Sequence, residues 1–207
     1  MTPHGSAPAQ QYPPLYAATI AGDRAAVARL IRTPVNVNWR NDDNRWPALM
    51  VAADAGAREI VTDLLGRDDL DVNLTDDLRQ TPLHIAADRG RAPVVDALLS
   101  DPRVEVNPRD ALQRTPLVLA ALAGRASVVE RLLADDRTEV NATDRDRQTA
   151  LHWAAVLGHL DIVRLLLADP RMDTSITNRP DERTAAELAA AAGRYAAAEL
   201  IEPPEPR

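Results

Sequence analysis

Thr81-Pro82-Leu83-His84-Ile85-Ala86-Ala87 is the stretch that decides the fold. A threonine hydroxyl can accept a backbone N–H at a helix start, and proline suits the first helical position, where its missing N–H costs nothing. Leu83, Ala86 and Ala87 fall on one helical stripe. Gly90 then ends the helix, because glycine accepts the left-handed conformation without a Cβ clash. The stretch returns as Thr115-Pro116-Leu117-Val118-Leu119-Ala120-Ala121, closed by Gly124, and as Thr149-Ala150-Leu151-His152-Trp153-Ala154-Ala155, closed by Gly158. A helix this short does not stand alone in water. The copies must therefore support one another.

The threonines are 34 residues apart, and Gly22, Gly56, Gly90, Gly124 and Gly158 keep the same interval, with Gly193 following at 35. A fixed period in this range marks stacked supersecondary units. Each unit runs from a capped short helix through glycine to a second helix ending in a Leu pair (Leu64-Leu65, Leu98-Leu99, Leu132-Leu133, Leu165-Leu166). An acidic loop follows, then a Val-Asn pair (Val37-Asn38, Val72-Asn73, Val106-Asn107, Val140-Asn141) and a polar tip.

With these motifs in register over about residues 14–201, the chain resembles the ankyrin repeat family. The resemblance implies an all-α fold: a solenoid of about six stacked helix-turn-helix units joined by hairpin-like loops. It also implies a job, holding another protein. Two departures stand out. The family period is 33 and here it is 34, the extra residue falling after the Leu pair, in Ser100-Asp101-Pro102-Arg103, Asp135-Asp136-Arg137 and Asp169-Pro170-Arg171. The family also prefers glycine near each tip, where this chain is read as having Asn44, Arg79, Gln113, Arg147 and Glu182. Only asparagine among these takes a left-handed conformation easily. The tips are expected to differ in turn type or to carry strain.

Composition narrows the function classes. The chain has no cysteine, which removes disulfides and thiolate chemistry. Its net charge of −7 argues against non-specific binding of nucleic acid or an anionic membrane. Every one of the 24 basic residues is arginine, and phenylalanine is absent as well. Both lysine and phenylalanine have AT-rich codons, so a GC-rich, bacterial source is expected, against the alternative of a selected need for arginine at interfaces.

In chain order, residues 1–12 read as a disordered leader without the basic and apolar regions of a secretory signal. The array is expected over 13–201, in units of about 13–45, 46–80, 81–114, 115–148, 149–183 and 184–201, with a disordered tail at 202–207. Leu15, Ala17, Ala18 and Ala21 form the expected inner stripe of the first helix, and Val27, Leu30 and Ile31 that of the second. The second unit is read as starting at Trp46, in the place of Thr, with Trp39 and Trp46 expected to pack on the first tip rather than to serve in binding. The Ala-rich last unit reads as a cap with a more polar outer face. No run approaches the ~20 apolar residues of a membrane span, and a cytoplasmic location is expected.

Catalytic signatures are missing. Without lysine there is no phosphate-loop lysine and no Schiff base, and no Gly-x-Gly-x-x-Gly or His-Glu-x-x-His occurs. No cofactor and no metal is expected, and the chain reads as a non-enzyme. His84 and His152 hold the same place two units apart; the resemblance implies that each bonds the neighbouring loop backbone, a structural role favoured over catalysis. Acids recur at Asp68, Asp69, Asp71, Asp101, Asp135, Asp136 and Asp169, read as a solvated edge rather than a cation or partner site. Asp76, Asp110 and Asp144 recur at the tips and are expected to order the turns.

Partners of the family usually touch the tips and the inner face of the first helices. The candidate residues there are Leu78, Arg89, Leu112, Arg114, Leu122, Arg145, Val156 and Leu157. Apolar side chains where solvent is expected, rimmed by arginine, match the build of a protein interface. The competing reading is that they cover the stack between units. The expected partner is another protein, with no nucleic acid and no membrane, and the chain itself a monomer. The alternative function is a structural or regulatory subunit that self-associates, or inhibits or stabilises a partner enzyme.

Overall fold

The structure is a computed structural model that describes residues 12–179 and 181–202. Among them are twelve helices in six pairs: α1 (Pro14–Ile20) with α2 (Arg24–Leu30), α3 (Ala48–Ala55) with α4 (Arg58–Leu65), and α5 (Pro82–Asp88) with α6 (Ala92–Leu99). The series continues with α7 (Pro116–Leu122) and α8 (Ala126–Leu133), α9 (Ala150–Leu157) and α10 (Leu160–Ala168), and α11 (Ala185–Ala191) and α12 (Tyr195–Ile201). Odd helices pack on odd and even on even along the whole array. No strand forms among the described residues; an isolated antiparallel bridge joins Arg40 and Pro47. The all-α solenoid of six pairs is the one the period implies.

Three of the four capping threonines act as the sequence suggests, while the Thr81 hydroxyl meets His84 Nδ1 at 3.0 Å instead. Thr115, Thr149 and Thr184 accept the N–H three residues on, at 3.4, 3.4 and 3.3 Å. Each inter-helix turn keeps glycine at positive φ. At Gly90, φ is +70° and an added Cβ would sit 2.9 Å from Cδ of Arg125. That arginine crosses from the next unit, and its Nε donates to the Asp88 carbonyl at 2.9 Å. Arg91 does the same to Asp54 at 3.0 Å.

Burial at equivalent positions tells which side of a unit meets which neighbour. Pro82, Ala86, Val94 and Leu98 are buried, whereas their first-unit equivalents Pro14, Ala18, Ala26 and Leu30 are exposed or half-buried. These positions pack on the preceding unit. His152, Ala155 and Val163 are buried, whereas their last-unit equivalents Glu187 and Ala190 are exposed and Ala198 is half-buried. These pack on the following unit. Glu187 turns back to accept the Thr184 N–H at 2.8 Å, so the array ends on an acid and small alanines.

Three polar ladders run between units. Asn38, Asn73, Asn107 and Asn141 each donate to a carbonyl of the next unit and accept an N–H from it, at 2.7–3.0 Å. The arginines that cover the glycines form the second. The third accounts for the extra residue in the period. Arg103, Arg137 and Arg171 each chelate the aspartate two residues before them and reach the carbonyl that ends the previous unit's Leu pair: Leu65 at 2.6 Å, Leu99 at 2.8 Å and Leu133 at 2.8 Å. Arg67, facing Asp69, reaches the Ile31 carbonyl in the same way. The last carbonyls of a helix lack intrahelical partners, and these guanidiniums satisfy them from the adjacent unit.

The structure corrects four expectations. Ala17 and Ala21 are exposed, and Tyr16 and Thr19 are buried instead. Tyr16 is drawn in by aromatic packing: its ring lies 4.8 Å from Trp39 and 5.2 Å from Tyr12, and burial, with Tyr12 and Asp43 nearby, pushes its hydroxyl pKa up to about 12. Pro47, not Trp46, precedes α3 at the threonine place. Trp46 closes the first tip, where its carbonyl accepts the Asn41 N–H at 3.2 Å. Because of that one-residue slip, the left-handed residue of the first tip is Arg45 rather than Asn44. Fourth, Asp101, Asp135 and Asp169 are not a solvated edge. Their side chains are 11%, 15% and 7% exposed and held by the ladder arginines. Of the expected leader and tail, 1–11 and 203–207 lie outside the described residues.

Candidate functional site

Each tip is organised by one side chain at its base. Asp76 Oδ1 accepts the N–H groups of Leu78 and Gln80 at 2.9 and 2.8 Å. Asp110 does the same for Leu112 and Arg114 at 2.8 and 2.9 Å, and Asp144 for Asp146 and Gln148, both at 2.9 Å. The second oxygens take the Trp46 indole at 3.3 Å, the Arg114 guanidinium at 2.7 Å and the Trp153 indole at 2.9 Å. The aspartates therefore order the turns, as expected. Successive tips are also joined: Ala111 donates to the Leu78 carbonyl at 2.8 Å, Arg145 to Leu112 at 3.1 Å and Arg179 to Asp146 at 2.7 Å. This fixes Leu78, Leu112 and Asp146 as one row across three tips.

The candidate residues divide by environment. Leu78, Leu112 and Leu157 are exposed at 60%, 39% and 40%. Leu122 and Val156 are half-buried and occupy one helical position, at or near the end of the odd helices α7 and α9. The same position in α3 and α5 carries Asp54 and Asp88, and Arg89 bridges them at 2.7 and 3.8 Å. The odd-helix face is thus charged on units two and three and apolar on units four and five. Arg145 is exposed and donates to the Ala111 carbonyl at 3.2 Å. Arg114 is drawn into its own tip by Asp110, with 20% of its side chain exposed, so it stabilises the turn rather than standing free at a rim.

The two equivalent histidines behave differently. His84 is fully buried; its Nδ1 accepts the Thr81 N–H at 3.1 Å, so Nε2 carries the proton and meets the Arg114 carbonyl at 3.0 Å. The neighbouring-loop bond is present there. His152 Nδ1 accepts the Thr149 N–H at 3.2 Å, but although the Arg183 and Ile176 backbones lie alongside, no group among the described residues completes a hydrogen bond to Nε2. Burial holds both imidazoles below the ordinary histidine pKa. Val118 fills the place in the fourth unit.

Among the described residues no group of three or more His, Cys, Asp or Glu is placed to hold a metal. A depression of about 380 Å³ lies where Leu157, Leu160, Tyr195 and the turns at Gly158 and Gly193 meet. Another, of about 410 Å³, is lined by Gly124, His159 and Asp161. None of the described helices is long and apolar enough to cross a membrane.

A family model for ankyrin repeats, in three copies, matches residues 66–144 and 137–205. The chain belongs to the ankyrin repeat family. Repeats of this family generally serve as protein–protein interaction modules and are typically non-catalytic. The crystal structure of the ankyrin repeat protein EF0377 is similar, with a TM-score of 0.84 and 25% identity, over 93% of this chain and 99% of that one. No curated protein matches the sequence.

The sequence reading missed the ladder arginines and the Tyr12–Tyr16–Trp39 cluster. The signal for the ladder was present, since Arg103, Arg137 and Arg171 keep the 34-residue period.

Proposed function

We propose that this ankyrin array is a non-catalytic module that binds a partner protein through its tips and odd-helix face. The observation that carries this is where large apolar side chains meet water. Five are exposed among the described residues, and four of them, Ile20, Leu78, Leu112 and Leu157, lie on tips or at the ends of odd helices. The even helices bury or half-bury theirs, apart from Tyr195 at the start of α12, which is exposed. Burial within the fold does not explain the exposed leucines, and exposed apolar patches commonly mark interfaces. Leu78, Leu112, Leu122, Val156 and Leu157 supply the apolar contact, with Arg89 and Arg145 beside it. The cytoplasm of a bacterial cell and a monomeric state belong to the same proposal.

The test is affinity capture from source-cell extract, comparing the parent chain with a Leu112→Asp/Leu157→Asp variant. Charge buried in an interface is strongly unfavourable, so captured proteins should fall by about tenfold or more. Because both leucines are exposed, the variant's unfolding transition should move little. Capture of the same proteins in equal amount would refute the reading. Concentration-dependent mass in light scattering of the pure chain, abolished in the variant, would favour self-association instead.

A further inference from the structure

We propose that the depression beside the first tip is a binding site for a neutral sugar, one hexose ring, either free or at the end of a glycan chain. It stands apart from the partner-binding reading above and does not rest on it. The depression measures about 270 Å³, and its lining includes Asn36, Trp39, Arg40, Asn41, Asp42 and Arg45. That is small among ligand pockets, with room for one ring rather than for a chain. Its base is where this tip departs from the others. The five tips are built on Asn41, Asp76, Asp110, Asp144 and Asn178. In four of them the second side-chain polar atom is filled, by Trp46, Arg114 and Trp153 for the aspartates and by the Arg179 carbonyl at 3.2 Å for Asn178. Asn41 is 7% exposed and its Oδ1 accepts the Trp46 N–H at 2.7 Å, but its Nδ2 makes no hydrogen bond among the described residues. A buried polar group without a partner is rare and costs stability, and this one belongs to the wall of the depression.

More donors stand around it without partners. Asn36 Oδ1 accepts the Asn38 N–H at 3.0 Å, which leaves its Nδ2 unpaired among the described residues. The Trp39 indole N–H and the exposed Arg45 guanidinium make no hydrogen bond among the described residues either. Asp42 adds an exposed acceptor. Amide, guanidinium and carboxylate each present two polar atoms side by side, a spacing that fits neighbouring hydroxyls on a ring. Trp39 is half-buried and held by its edge-on contact with Tyr16 at 4.8 Å. An indole fixed in this way offers a flat apolar wall with a donor at its rim, the complement of a ring with C–H faces and a polar edge. Charge argues for a neutral ligand over an anion. Arg40 and Arg45 stand against Asp42 and Asp43, and the Arg40 guanidinium already bonds the Thr75 carbonyl at 3.3 Å.

The test is nuclear magnetic resonance of the full chain, reading the side-chain amides of Asn36 and Asn41, the Trp39 indole N–H and the Arg45 Nε–H. The probes are free glucose, galactose and mannose, inorganic phosphate as the anion, and an array of glycans ending in the same sugars. At least one free hexose should shift these resonances together, or the chain should bind an array spot ending in one while the free sugars stay silent; the two results separate the sources. Asn41→Asp puts at this tip the residue used at the next three, keeping the acceptor for the turn and removing the donor. Arg45→Gly removes the guanidinium. Both variants should unfold near the parent temperature and bind the sugar about tenfold more weakly or worse. If Asn41→Asp fails to fold, Arg45→Gly decides alone. No shift and no array binding, undiminished binding by either folded variant, or a larger shift with phosphate than with any hexose would each overturn the inference.

Discussion

Replacing each buried histidine by valine compares one unit with another inside a single molecule. The place accepts valine sterically, since Val118 fills it in the fourth unit at 1% exposure. His84→Val removes the acceptor for the buried Thr81 N–H and the donor to the Arg114 carbonyl. That carbonyl keeps its bond from the Asp110 N–H at 3.1 Å, so it is only half deprived. An unpaired buried N–H and a lost hydrogen bond together cost about 1–3 kcal/mol after the gain in apolar burial. His152→Val removes the Thr149 acceptor but no Nε2 bond of ordinary geometry, because no described residue makes one; the Arg183 and Ile176 backbones only lie alongside. It should cost about 1 kcal/mol less than His84→Val. Equilibrium urea unfolding reads the difference as a larger drop in midpoint for His84→Val at unchanged slope. At this chain length about 1 kcal/mol corresponds to ~2–4 °C in Tm. An equal or larger loss for His152→Val would refute the reasoning. The pair also carries a pH signature. Burial lowers both imidazole pKa values, so as pH falls below about 6.5 the unfolded chain takes up protons first and stability declines. The decline stops once the folded-state rings protonate, and the double valine variant should lack it.

Leu83→Ala in the central array should cost about 2–5 kcal/mol, and Leu15→Ala in the first unit less, since only one neighbouring unit packs there; denaturant melts in the reverse order would contradict this. Gly90→Ala should destabilise, because its φ of +70° is joined by a 2.9 Å approach of Cβ to Arg125, whereas Gln113→Gly should leave stability equal or raise it. The arginine hydrogen bonds hold Asp101, Asp135 and Asp169 below the usual carboxylate range. Their contribution is present above about pH 4 and is lost as pH falls through the lowered native values. An acid-unfolding midpoint shifted upward in Asp135→Asn/Asp169→Asn, with less stability at neutral pH, checks this.

The helix pairs were legible because cap, glycine and Leu pair repeat in register, and each of these is a local signal. Asp76, Asp110 and Asp144 were legible for the same reason: an aspartate bonding the backbone two and four residues on is a short-range event. What sequence hid depends on the neighbouring unit. The acids at 101, 135 and 169 look solvated until the arginine two residues on, reaching across to the previous helix, is seen to cover them. The slip at Trp46 arose because the first tip is one residue longer than the next three, and Pro47 offers no threonine to fix the register. His152 lacks the bond of His84 although their local sequences match, since its partner would come from the last tip. The candidate surface was legible as a set of positions, but Arg114 shows that a rim residue in sequence can be an internal tie in the fold.

Hydrogen–deuterium exchange of the chain, free and bound to a protein it captures, tests the central claim most directly. The account predicts added protection at the tips spanning 76–80, 110–114 and 144–148 and at the C-terminal ends of α7 and α9, with α4, α6 and α8 unchanged. Protection confined to those even helices or to the loops at 100–103, 135–137 and 169–171 would contradict it.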